Sequence, residues 1–224
     1  HRFRRANRAR LLLMLALVMA ACAEARRAPS TERTPSEPPR SQAEPELVDV
    51  ATLDPGLFLD IRYATPDNFL GRAVYDAPRC LLVRDAAERL LAAERALRRE
   101  GYRLVVWDCY RPRSVQWAMW ELVPNPDYVA DPRKGSRHNR GAAVDVGLRA
   151  LDGGAVPLPT EHDDFSPRAA RAFMDLPSEA IANRERLERA MMAEGWIPLA
   201  TEWWHFDAPD WERYPLRDEP LASR

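Results

Sequence analysis

Length, composition and charge exclude several classes of protein. The chain has 224 residues, of which 46% are hydrophobic and 30% are charged, and its formal net charge at pH 7 is −1. These values are typical of a globular protein with one good-sized domain, and they exclude a wholly disordered chain, a collagen and a multi-span membrane protein. A net charge so close to zero provides no basic field for nucleic acid, so we expect no nucleic-acid partner.

The first residues predict a segment for export. Residues 2–10 contain five Arg and no acidic residue, and residues 11–21 (LLLMLALVMAA) form an apolar run directly before Cys22. A basic segment followed by a short apolar segment and small residues is typical of a secretory signal. The run is shorter than the about 20 residues that span a bilayer as a helix. We therefore expect residues 1–21 to be a signal peptide and the protein to be periplasmic or bound to the cell envelope.

The residues around Cys22 leave two kinds of processing open. The segment 19–22 (MAAC) resembles the lipoprotein box of bacteria, in which the cysteine becomes the lipidated first residue and anchors the chain to a membrane. Cleavage nearby without lipidation is the alternative. Residues 22–46 are rich in Pro and small polar residues and predict an extended tether. The folded domain is then expected at residues 47–224.

Apolar periodicity predicts the elements of this domain. Residues 57–63 (LFLDIRY) favour a strand, and a helix follows from Asp85, with Asp85 and Glu88 as a capping box and Gly101 at its end. The later elements are a strand at 103–107, a helix at 114–122, a Pro- and Asp-rich loop at 124–136, a strand at 142–148, a turn at 152–154, a helix starting at 166–167, a helix at 178–194 and a hairpin of 196–199 with 202–207. Strands and helices mix without a regular βαβ rhythm, which indicates the α+β class.

Two short segments contain the residue types of a zinc site. Residues 136–145 read SRHNRGAAVD, and residues 202–205 read EWWH. Catalytic zinc takes three protein ligands, from histidine and carboxylate side chains, and keeps one position for water. A carboxylate beside that water can act as general base. The candidate ligands are His138, Asp145 and His205, and the candidate base is Glu202.

Spacing alone leaves this interpretation open. A histidine near an acid is more often a surface or capped residue, and the seven-residue step from His138 to Asp145 does not force a shared metal. Glu202 and His205 are three residues apart and would lie on opposite faces of a regular strand. They converge only where the strand is bulged or irregular.

Four separated motifs give the domain a resemblance to a known family. Residues 136–145 match the S-x-H-x-x-G-x-A-x-D pattern of the M15-type zinc DD-peptidases, and EWWH at 202–205 resembles their D-Ala-D-Ala dipeptidase branch. YATPDNF at 63–69 and WDCYRP at 107–112 resemble two further segments of that branch. The resemblance implies a single domain of the Hedgehog and DD-peptidase type, with a small, mostly antiparallel sheet and flanking helices. It also implies one zinc ion per chain and hydrolysis of the D-Ala-D-Ala dipeptide to two D-alanines.

The resemblance assigns the catalytic roles. It implies that His138, Asp145 and His205 bind zinc and that Glu202 is the general base and later the proton donor. Arg111 matches the arginine that stabilises the developing oxyanion, a role that suits a permanent cation with several donors. An ion pair with Asp108 at the end of a strand is the alternative for Arg111.

The resemblance also places a substrate pocket. Asp164 lies where the branch has an aspartate that binds the free ammonium of the substrate, and Tyr63 and Ser136 fall where pocket groups are expected. Turns and caps favour Asp and Ser as well, so a structural role is the alternative. His162 matches no position of the zinc motif, and we interpret it as a solvated loop residue.

Cys80 and Cys109 are the two cysteines of the domain. In an exported protein such a pair suggests a disulfide, with two buried free thiols as the alternative. Two other functions also remain open, a zinc DD-carboxypeptidase that acts on peptidoglycan stem peptides and a non-catalytic, zinc-containing lipoprotein that binds the cell wall. Glu202 and Arg111 argue against the second, because a binding protein needs neither.

Overall fold

The computed structural model describes residues 45–126 and 128–222. The expected signal at 1–21, the lipidation site Cys22 and most of the tether at 22–46 lie outside these ranges, so these expectations stay predictions. Within the described ranges, no helix has the length and apolar character needed to cross a membrane.

A five-stranded sheet lies at the centre of the domain. The strands in chain order are β1 (Leu47–Asp49), β2 (Phe58–Leu59), β3 (Leu81–Val83), β4 (Tyr102–Asp108), β5 (Ala143–Ala150), β6 (Ile197–Pro198) and β7 (His205–Asp207). The central sheet has the order β2-β4-β5-β7-β6, and β1 pairs with β3 in a separate two-stranded sheet. Among these described strands, β2 and β4 pair in parallel and the other pairs are antiparallel. The predicted α+β class and the mostly antiparallel sheet are confirmed.

Helices flank this sheet. They are α1 (Val50–Leu53), α2 (Arg84–Arg99), α3 (Arg113–Leu122) and α4 (Ser178–Ala193), and short 3-10 turns occur at Arg62–Ala64, His138–Arg140, Pro167–Ala169 and Trp211–Arg213. The α2 helix packs on β4 and α4, and α4 also contacts β5 and β6. Apolar side chains such as Leu90, Leu97, Leu187 and Met191 are fully buried between these elements. Burial of this apolar surface is the main stabilising contribution.

Three predicted details are wrong. The α2 helix begins at Arg84 without a side-chain cap, so Asp85 lies within its first turn rather than at the N-cap, and its carboxylate pairs with Arg213 at 2.6 Å. Of the expected strand at 57–63, only two residues pair with β4, and a 3-10 turn follows. Ser166 caps a single 3-10 turn rather than a longer helix.

Sheet register brings two candidate ligands together. In the β5–β7 pair, Asp145 lies directly opposite His205, and in the β4–β5 pair it lies opposite Asp108. The register of β4 shifts between Val106 and Asp108, so this edge of β4 is bulged. Bulges are frequent next to active sites because they redirect side chains.

A tight turn places His138 beside Asp145 and His205. The 3-10 turn His138–Arg140 directly precedes β5 and ends at Gly141, whose φ is +64°. The left-handed backbone favours glycine here, and a Cβ would also displace the end of the Leu47 side chain.

Candidate active site

Three buried side chains converge where β5, β7 and the His138 turn meet. The Nδ1 atom of His205 lies 3.0 Å from Asp145 Oδ1, and His138 Nε2 lies 3.2 Å from His205 Nδ1 and 3.4 Å from Asp145 Oδ1. Ligand atoms about 2.0–2.1 Å from a tetrahedral zinc ion are about 3.3–3.4 Å apart. The three atoms therefore have nearly the spacing of three corners of such a tetrahedron, and this group could hold a metal ion.

Hydrogen bonds on the far side of each imidazole fix the ring orientation. His138 Nδ1 lies 2.7 Å from the carbonyl oxygen of Cys109, to which it donates, so Nε2 is free to bind a metal. His205 Nε2 lies 2.9 Å from Asp207 Oδ1, which leaves Nδ1 facing the site. Metal-binding histidines usually have a carboxylate or carbonyl partner of this kind.

The charges of the group suit a cation. Burial alone would raise the pKa of Asp145, but the charge of His138 and hydrogen bonds from His138, His162 and His205 hold it well below its ordinary value. Burial alone would lower the pKa of His205, but hydrogen bonds to Asp145 and Asp207 raise it to about 10. The metal-free site therefore keeps a carboxylate and a protonated histidine at neutral pH, and a metal ion would replace that proton.

Glu202 reaches the group through a turn. Residues 203–204 are in a turn, His205 N donates to the Glu202 carbonyl at 3.4 Å, and β7 begins only at His205. The expected strand at 202–207 is therefore shorter, and this irregularity lets both side chains face one site. Glu202 Oε2 lies 3.8 Å from His205 Nδ1, and 27% of its side chain is exposed. Burial raises the pKa of Glu202, with His205 opposing and Asp145 adding to the rise.

Arg111 lines the same cavity and is held by two neighbours. Its Nε and Nη2 donate to Asp108 Oδ2 at 3.1 and 2.7 Å, and its Nη1 donates to Gln116 Oε1 at 2.8 Å. The ion pair with Asp108 is thus present, and it does not exclude a role in the cavity. A guanidinium has five N–H donors. The hydrogen bonds to Asp108 and Gln116 use three of them, and the guanidinium also lies over the Tyr63 ring, 5.1 Å from its centroid.

A cavity of about 480 Å³ opens over these side chains. Tyr63, Ser136 and Asp163 also line it, together with Glu202. The hydroxyl of Tyr63 donates to Asp163 Oδ2 at 2.8 Å. Burial raises the pKa of Asp163, with the charge of His162 opposing the rise and that of Asp145 adding to it. His162 Nδ1 lies 3.4 Å from Asp163 Oδ2, and the carboxylate also faces the cavity, where it could pair with a cation of a bound molecule.

The prediction for Asp164 is corrected by one residue. Asp163, with a φ of 60°, faces the cavity, whereas Asp164 Oδ1 accepts a hydrogen bond from Ser166 N at 2.7 Å and does not line the cavity. Asp164 thus has the turn-forming role that was the alternative. Nothing in one sequence distinguishes two adjacent aspartates, because the choice depends on the left-handed backbone at Asp163.

His162 is not the solvated loop residue that the sequence suggested. Its side chain is 3% exposed, and its Nε2 lies 3.2 Å from Asp145 Oδ2. The imidazole stacks on Trp107, with ring centroids 5.1 Å apart and an interplanar angle of 25°. The zinc motif gave no signal for His162, because the contact joins it to a residue 17 positions earlier in the chain.

Comparison with known proteins decides the family. The sequence matches peptidase family M15, described as D-ala-D-ala dipeptidase, over residues 43–220. The chain belongs to this family. Three curated relatives are named D-alanyl-D-alanine dipeptidase. The protein of Escherichia coli K12 is 37% identical over 76% of this chain and 89% of its own length. The protein of Enterococcus faecium is 34% identical over 75% of this chain and 90% of its own length. The protein of Streptomyces coelicolor is 32% identical over 74% of this chain and 88% of its own length.

Membership of the M15 family makes the chain a hydrolase of the peptidase class and agrees with the resemblance found in the motifs. Two further contacts hold His138 in place in this M15 peptidase.

Ser136 Oγ accepts a hydrogen bond from His138 N at 3.2 Å, so Ser136 fixes the turn as well as lining the cavity. Cys80 and Cys109 are joined by a disulfide. It joins the residue directly before β3 to Cys109, whose carbonyl orients His138.

Proposed function

We propose that the protein hydrolyses the D-alanyl-D-alanine dipeptide to two D-alanines with the help of one zinc ion. The observation that carries the proposal is that three kinds of group line one cavity. They are the possible metal ligands His138, Asp145 and His205, the carboxylate of Glu202 with its raised pKa, and the carboxylate of Asp163, which could pair with an ammonium group. The names of the curated relatives support the same substrate.

Zinc fits the donor set. His138, Asp145 and His205 would hold it, since two imidazole nitrogens and one carboxylate oxygen are common ligands of catalytic zinc. When bound there, the ion would supply Lewis-acid polarisation of a carbonyl and a water molecule of lowered pKa.

The side chains around the metal position supply the proton transfers. Glu202 accepts a proton from the water molecule that attacks the amide carbon, and it delivers that proton to the nitrogen of the leaving alanine. The N–H donors of Arg111 that Asp108 and Gln116 do not use stabilise the negative charge that develops on the amide oxygen. The amide bond breaks and one water molecule is consumed, which gives two D-alanines.

Asp163 supplies the preference for a free dipeptide. In this proposal its carboxylate, held by Tyr63, pairs with the ammonium group of the substrate. A longer peptide has an uncharged amide in place of that ammonium group and would not form this charged contact with Asp163. A hydrogen bond to a charged group contributes about 1.5–3 kcal/mol. Longer stem peptides are therefore expected to be poor substrates.

Glu202→Gln tests the assigned base. We expect kcat for D-Ala-D-Ala to fall by about 10²- to 10⁴-fold, because the amide cannot accept the proton. Zinc affinity is expected to stay close to that of the wild type, as measured by competition with a chromogenic chelator. Glu179→Gln, at an exposed position of α4, is the matched control and should leave both quantities unchanged. Full turnover by Glu202→Gln would exclude Glu202 as the base.

A further inference from the structure

His162 occupies a closed aromatic site next to the zinc ligands. Its ring stacks on Trp107 and meets Tyr63 and Trp204 edge-on, with ring centroids 6.2 and 5.6 Å apart. Trp107 itself lies over Gly147, where a Cβ would come within 2.3 Å of its ring. Glycine at 147 therefore leaves the space that this arrangement of rings needs.

Both ring nitrogens of His162 face carboxylates. Nε2 lies 3.2 Å from Asp145 Oδ2, and Nδ1 lies 3.4 Å from Asp163 Oδ2. The other oxygen of Asp145, Oδ1, faces His138 and His205. The two oxygens of Asp145 thus have separate partners. One faces the metal position, and the other faces His162.

We propose that His162 is a positioning residue that holds Asp145 as a single-oxygen metal ligand. A carboxylate with no partner on its second oxygen can rotate away or turn both oxygens towards a cation, which changes the geometry at the metal. Groups that hydrogen-bond a metal ligand commonly contribute about 10- to 100-fold to metal affinity. The inference rests on the proposed function for the identity of the metal ligands, and it does not require that the substrate be D-Ala-D-Ala.

Two amide substitutions separate the contacts of His162. In His162→Gln, the amide nitrogen can occupy the place of Nε2 and still donate to Asp145. In His162→Asn, the shorter side chain can place its nitrogen only near Nδ1, beside Asp163. Both variants lose the aromatic ring, so they share the same loss of stacking. His162→Phe keeps the ring and loses both nitrogens, and it remains informative if the two amide variants do not fold.

The measurement is the dissociation constant for zinc, determined on the purified full chain by competition with a chromogenic chelator. We expect His162→Gln to bind zinc nearly as tightly as the wild type. His162→Asn and His162→Phe should bind it about 10- to 100-fold more weakly. The control Glu94→Gln removes a buried partner of Arg98 on α2. It should lower the melting temperature of the metal-free protein and leave zinc affinity unchanged.

The outcomes separate this inference from the proposed function. Equal zinc affinity in His162→Gln and His162→Asn, or wild-type affinity in His162→Phe, would overturn the positioning role. A wild-type protein that binds zinc but releases no D-alanine from the dipeptide would overturn the proposed function alone. The positioning role would then still be decided by the zinc affinities of the variants.

Discussion

At the scale of single residues, the surroundings of a side chain decide its role more than its identity does. Asp163 and Asp164 are adjacent and chemically identical, yet only Asp163 lines the cavity. The sequence predicted that Asp164 faces the pocket, and the structure places its neighbour Asp163 there instead. His162 was missed for a related reason, because its burial depends on Trp107 and Tyr63, which come from distant parts of the chain.

The two aspartates form a matched pair for mutagenesis. Asp163→Asn should reduce kcat/KM for D-Ala-D-Ala by about 10- to 100-fold, since a hydrogen bond to a charged group contributes about 1.5–3 kcal/mol. Asp164→Asn keeps an oxygen that can accept from Ser166 N and should retain nearly wild-type activity. Steady-state kinetics of both variants check this, and a larger loss in Asp164→Asn than in Asp163→Asn would restore the original assignment.

Zinc binding should release protons at neutral pH. The pKa of His205 in the metal-free protein is raised to about 10 from its ordinary value of 6.5, so the ring is protonated at pH 7. The ion must displace this proton, and affinity should therefore rise with pH until about pH 10 and fall as the pH is lowered. Calorimetric titration with zinc in two buffers of different ionisation enthalpy measures the released protons. Identical enthalpies in the two buffers would contradict the assigned protonation state.

At the scale of elements, irregular backbone assembles the site. Each long helix and the main strands were predicted from apolar periodicity, because that pattern reflects burial along one element. The pattern does not predict where a strand stops. Glu202 and His205 face one site because β7 begins at His205, and Asp145 opposes Asp108 because the register of β4 shifts. Such irregularities depend on contacts between elements, and only the requirement that Glu202 and His205 converge suggested one in advance.

The disulfide links stability to the metal site. Replacing Cys80 and Cys109 by serine removes a cross-link between residues 29 positions apart. We expect the free energy of unfolding of the metal-free protein to fall by ~3–4 kcal/mol, mainly because the unfolded chain is no longer constrained. Urea unfolding under oxidising conditions measures this change. Zinc affinity should also fall, because the Cys109 carbonyl orients His138. An unchanged unfolding midpoint would contradict the stabilising role.

At the scale of the whole molecule, the order of four short motifs along the chain predicted the site better than any single spacing. The spacing of His138, Asp145 and His205 did not decide whether they form a metal site. The four motifs together indicated the family, which the comparison then confirmed. The predicted signal, the lipid anchor at Cys22 and the tether concern residues outside the described ranges and stay predictions. The proposed preference for a dipeptide also belongs to this scale, because it would depend on the cavity and on Asp163 together.

The most direct test of the account is D-alanine release by the zinc-loaded protein. The substrates are D-Ala-D-Ala, L-Ala-L-Ala and a pentapeptide that ends in D-Ala-D-Ala, each offered with and without a chelator. We predict release from the D,D-dipeptide alone and its loss with chelator. Release from the pentapeptide at a similar rate would contradict the dipeptide pocket and favour a DD-carboxypeptidase. No release from any substrate, with zinc still bound, would contradict catalysis and favour a protein that only binds the cell wall.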